Sequence, residues 1–165
     1  MSELTSGTSK GPGKPLFSGF SHVSLPVRDL EESKRFYSEV LGGEIILDIP
    51  SFVEVRLGGI IVGLSKREGG WTGRDAEFPH YAFLVEPENL YPIKERLEAY
   101  GVPTIHPWTR SGVVALMYFR DPSGNLFELY CPSGLKDVDK LPRKPAQGGN
   151  FTIDFTALNY EWKQR

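Results

Sequence analysis

The sequence is poor in the residues that would place it in several large classes. Its 165 residues contain one cysteine, Cys131. A single thiol cannot close an intrachain disulfide, so a reducing, cytoplasmic setting is expected. No apolar run is long enough to span a bilayer. Surplus positive charge is also missing. Nineteen Lys and Arg stand against 21 Asp and Glu, a net charge of −2. That balance offers neither a nucleic-acid-binding field nor a polybasic membrane patch. The first residues, MSELTSGTSKGPGKP, have no apolar core segment of a secretory signal. Residues 1–15 are expected to be a disordered polar leader. Histidine is scarce, at three residues: His22, His80 and His106.

What is present repeats. GFSHVSLPV (19–27) alternates as a half-buried strand, and RDLEESKRFYSEVLGG follows as an amphipathic helix. Asp29 is placed to cap that helix and Gly42 and Gly43 to end it. EIILDI, FVEVRL and IIVGLS supply three more strands. From residue 78 the order returns. FPHYAFLVE is a strand, PENLYPIKERLEAYG a helix, and VPTIHPW, VVALMYFR and LFELYC are three β segments. The order β-α-β-β-β therefore occurs twice, and one such unit cannot bury its sheet face alone. The expected fold is α+β, with two paired βαβββ modules (17–65 and 78–132) forming a curved mixed sheet around a metal cleft, helices outside. Within it, 16–132 is one domain and 133–165 a C-terminal arm that changes character to basic and Pro/Gly-rich before FTIDFTALNYEW.

His22 and His80 occupy equivalent places in the first strand of each unit, 58 residues apart. Glu128 lies between Phe127 and Leu129 in an otherwise apolar strand, where a lone carboxylate is costly unless compensated. Two imidazoles and one carboxylate with open positions form a ligand set suited to Fe(II) and other divalent ions.

SHVSLPVRDLEESKRFYSEVLGGE, PHYAFLVE and YFRDPSGNLFELYCP resemble the vicinal oxygen chelate superfamily, the glyoxalase, bleomycin-resistance and extradiol-dioxygenase group. The resemblance covers roughly 17–132, and DPxGNxxE is its most specific part. It implies metal ligands at His22, His80 and Glu128. Glyoxalase-like members would add a fourth ligand where Val62 or Gly63 stands, and Glu54, one strand earlier, is expected to face solvent. Fosfomycin-resistance thiol transferases share three ligands but carry a lysine near the place of Trp108. Only Arg110, Ser111 and Gly112 resemble their anion loop.

Extradiol enzymes place a tyrosine ten residues before the glutamate, where Tyr118 stands. Their acid-base histidine is replaced by Ser65 or Lys66. The first expectation is therefore an Fe(II)-dependent (or Mn(II)-dependent) extradiol dioxygenase. It would take O2 and a small aromatic, catecholic substrate, in aromatic compound catabolism. Tyr118 and His106 would be catalytic, and Ser24, Trp108 and Arg110 would contact substrate. The alternatives are a metal-dependent transferase or lyase of the same superfamily, or a drug-binding protein of the bleomycin-resistance kind. Small members of the superfamily often form homodimers.

Overall fold

The computed structural model describes residues 21–71 and 77–163. The expected leader, 1–15, and part of the linker between modules lie outside the described residues.

The first module runs β1 (His22–Val27), α1 (Leu30–Arg35), β2 (Glu44–Ile49), β3 (Phe52–Leu57) and β4 (Ile60–Lys66). Asp29 caps α1 as expected, its carboxylate accepting from the Glu32 amide at 2.9 Å. The helix then widens into a π-helical turn over Phe36–Val40, which buries Phe36, Tyr37 and Val40. Gly42 ends it at a φ of +75°, a left-handed conformation that side chains disfavour. The second module runs β5 (Tyr81–Leu84), α2 (Leu90–Ala99), β6 (Trp108–Arg110), β7 (Val114–Arg120) and β8 (Leu126–Cys131). The two βαβββ modules make the expected α+β fold. Their strands form two four-stranded mixed sheets, ordered β1-β4-β3-β2 and β5-β8-β7-β6. In each, the first and last strands of the module run parallel and the other pairs antiparallel.

One expected strand is displaced. VPTIHPW yields only an isolated bridge between Thr104 and Phe119, and pairing resumes at Trp108 as β6. Pro103 and Pro107 have no N–H to give to a ladder, so the segment cannot pair continuously.

Alternation decides where each face goes. Leu25 and Val27 of β1, Val53 and Val55 of β3, and Phe119, Phe127 and Leu129 of β7 and β8 enter one core cluster shared by both modules. Each sheet thus turns its other face away from that core. On the first sheet this other face carries His22, Ser24, Gly63, Glu54 and Phe52 across paired positions. On the second it carries Glu128, Tyr118, Tyr130, Leu116 and Trp108.

The arm covers part of the second face. Leu158 is buried there with Trp108, Leu116 and Tyr118, and Phe151, Ile153 and Phe155 pack around them. Farther on, Trp162 packs edge-on against Phe36, ring centroids 5.6 Å apart, and its indole N–H donates to the Tyr100 carbonyl at 2.9 Å. Among the described residues, no helix is long and apolar enough to cross a membrane.

Candidate metal centre

Glu128 has a partner. It is 6% exposed, and its Oε2 lies 3.7 Å from His80 Nε2. His80 precedes β5, whose Ala82 is aligned with Glu128 across the parallel β5–β8 pair, so sheet register brings the two side chains to one place. The other ring nitrogen, Nδ1, is 2.9 Å from the Glu77 carbonyl oxygen. A carbonyl oxygen only accepts, so in the neutral ring Nδ1 carries the proton and Nε2 keeps its lone pair. A nitrogen lone pair and a carboxylate oxygen therefore converge, and a cation between them relieves their repulsion. This donor set fits a divalent ion.

Tyr118, directly across β7–β8 from Glu128, completes the surroundings. Its ring stands edge-on to His80 with centroids 5.4 Å apart, and its hydroxyl donates to Glu77 Oε1 at 3.3 Å. Burial first, then the Glu128 charge and hydrogen bond, then Glu77, hold the phenol's pKa far above its ordinary value. Tyr118 is thus a hydrogen-bond donor rather than a phenolate.

His22 does not join this group. Among the described residues, no three His, Cys, Asp or Glu side chains come close enough to hold a metal. His22 is exposed on the other sheet, its Nδ1 3.0 Å from Ser21 Oγ, with Ser24 exposed beside it. Glu54, expected to face solvent, is half-buried on the same face as His22 and aligned with Gly63. At Gly63 itself, an added Cβ would lie 2.8 Å from the Phe52 ring and 3.1 Å from Ser24 Oγ, leaving no room for a longer side chain without a shift.

The remaining expected site residues divide. Trp108 is buried on the Tyr118 face. Arg110 is exposed, donates to the Tyr130 hydroxyl at 3.2 Å and lies 5.5 Å from that ring's centroid. Ser111 and Gly112 form a tight β6–β7 turn at φ values of +61° and +69°. The Ser111 amide is taken by Gln147 of the arm, which is not the arrangement of an anion-cradling loop. His106 is exposed in the loop before β6, outside the group around Tyr118. Cys131 is fully buried, and burial pushes its thiol pKa up, as suits a small apolar side chain. Two residues near Tyr118 carried no sequence signal: Glu77 from the linker and Lys144 from the arm, joined Nζ to Oε1 at 2.9 Å.

Residues 19–129 match the model of the Glyoxalase/Bleomycin resistance protein/Dioxygenase superfamily. The chain belongs to this superfamily. Over 141 residues it is 32% identical to the glutathione transferase FosA of Serratia marcescens, covering 84% of this chain and 99% of that protein. The metallothiol transferase FosB of Staphylococcus saprophyticus is 25% identical, over 70% of this chain and 78% of its own. Among solved structures, the fosfomycin resistance protein FosX of Listeria monocytogenes superposes with a TM-score of 0.64 at 26% identity, covering 75% of this chain and 99% of that one. The same FosX has been seen complexed with Mn(II) and sulfate ion.

These relatives support a metal-dependent enzyme acting on small molecules. They do not support the oxidoreductase expectation, with its O2, its aromatic substrate and an Fe(II) preference; the transferase alternative fits better.

Proposed function

We propose that this chain is a metal-dependent transferase that adds a thiol to a small oxygen-bearing electrophile, an epoxide first among them. The observation that carries the reading is the likeness to the glutathione transferase FosA along nearly all of that protein's length. The converging lone pairs of His80 and Glu128 support it, as does Tyr118 beside them. His80 and Glu128 of one chain would hold a divalent ion, Mn(II) being the first choice, together with His22 of a second copy. The exposure of His22, away from the other two, favours this shared arrangement. The ion, when bound, would act as a Lewis acid toward a substrate oxygen.

The chain's own part is positioning. Tyr118 presents its protonated hydroxyl to a substrate oxygen on which charge develops. Trp108, Leu116 and the arm residues Phe155 and Leu158 exclude water from the same face. In the reaction the thiol sulfur bonds to carbon, the carbon–oxygen bond of the epoxide breaks, and the thiol proton ends on the released oxygen.

Mn(II)-loaded protein given fosfomycin and glutathione should form a covalent adduct detectable by mass spectrometry. His80→Ala and Glu128→Ala should each lower its rate by at least about 100-fold, since losing even a partner that only orients a metal ligand typically costs about 10–100-fold. No addition of any thiol to a panel of epoxides by the Mn(II)-loaded protein would overturn the reading.

A further inference from the structure

The two strands that carry Tyr118 and Glu128 also have an inward face. Their neighbours Phe119 and Leu129 point to that side and line a cavity of about 410 Å³, within the usual range for a small-molecule site. The second sheet therefore separates this cavity from the metal-type groups. Val40 of the π-helical turn, Leu57 of β3, Phe83 of β5 and Leu97 of α2 add to its walls, so it opens where the modules meet, into the core they share. Among the described residues that line it, Arg96 of α2 alone is charged. Arg96 is exposed, and no carboxylate pairs with it among the described residues.

The Arg96 Nη2 donates to the Glu39 carbonyl at 2.6 Å, which satisfies one of the carbonyls left over at the end of the π-helical turn. That contact holds the guanidinium at the mouth and leaves its other N–H groups for an incoming acceptor. A capping role alone would explain the bond but not the cavity beside it. Packed interiors rarely leave so large a space, and apolar walls offer a water molecule no hydrogen-bond partners. The wide turn itself, closed by the Leu41 N–H on the Phe36 carbonyl at 3.1 Å, forms one side of the cavity. Such turns occur frequently at functional sites.

We infer that this cavity is a binding site for an amphipathic carboxylate, the class of a medium-chain fatty acid. The aliphatic chain lies against Phe119 and Leu129, and the carboxylate meets Arg96 at the mouth. The volume suits one short chain and not a two-chain membrane lipid. Burial of the chain supplies most of the affinity. The guanidinium selects the head group, because its N–H donors match the two oxygens of a carboxylate. The site lies across the sheet from the candidate metal centre, and it stands whether or not the chain transfers a thiol.

Decanoate is the probe, and decanol, the same chain without the charge, is its control. Calorimetry on the full chain, with and without Mn(II), should show saturable decanoate binding at one site per chain. The ligand should also raise the urea midpoint, as anything that binds only the folded state does. Decanol should bind about tenfold more weakly, the scale of a lost charge-assisted hydrogen bond. Arg96→Met should bring decanoate down to the level of decanol and leave decanol unchanged. Ile93→Trp, which fills the cavity from its α2 wall, should abolish both, and Arg96→Met carries the test should that variant fail to fold. Glu128→Ala, on the far side of the sheet, should bind decanoate as the wild type does. No saturable binding, equal affinity in the wild type and Arg96→Met, or loss of binding in Glu128→Ala would each overturn the inference.

Discussion

At the scale of single residues, two buried carboxylates in one turn-and-strand segment are handled in different ways. Glu128 faces a histidine lone pair and a tyrosine hydroxyl. Asp121, which opens the DPSGN turn, is enclosed by donors. Its Oδ1 accepts from the Ser123 and Asn125 amides, and its Oδ2 from Asn125 Nδ2 and the Tyr37 hydroxyl, all within 2.9 Å. Burial still outweighs those bonds and raises its pKa from 3.8 to about 6. The folded chain thus holds this proton more tightly than the unfolded chain. The resulting stability is present at low pH and is lost as pH rises between about 4 and 6. Urea titrations should show the wild type losing stability relative to Asp121→Asn as pH rises through that window; a wild type that gains on the variant instead would mean that the donors outweigh burial. Glu128 was legible in the sequence because an acid stood alone in an apolar run. Glu77 and Lys144 were not, since they lie 67 residues apart in irregular segments with no periodicity to place them.

At the scale of elements, strands and helices followed hydrophobic alternation, caps and glycines closely. The prolines at 103 and 107 were present in the sequence, yet the apolar Val102, Ile105 and Trp108 around them outweighed the missing N–H groups in the expectation. The arm is the element least legible, because aromatic residues separated by turns specify burial but not against what. Its end is fixed by Trp162 on Phe36 and by the Tyr160 hydroxyl donating to the Arg120 carbonyl at 3.0 Å. Trp162→Ala should therefore cost about 3 kcal/mol or more, the usual loss for a buried tryptophan, measured by denaturant unfolding. A cost within about 0.5 kcal/mol, as for an ordinary surface substitution, would show that the arm is not an integral part of the domain.

At the scale of the whole molecule, the repeat was legible because equivalent histidines marked equivalent strands. The relation between the modules was not, since two βαβββ units admit either one shared cleft or two outward faces. The chain takes the second form. Its common core lies between the modules, and His22 stands on one outward face while His80 and Glu128 meet on the other. A three-ligand site then needs two copies. Mixing His22→Ala protein with Glu128→Ala protein, allowing subunits to exchange, and titrating Mn(II) tests this most directly. Half of the dimers should be mixed and each should regain one of its two sites, so about a quarter of wild-type binding should return by mass action. Binding that stays at the level of the separate variants would contradict a site shared between chains.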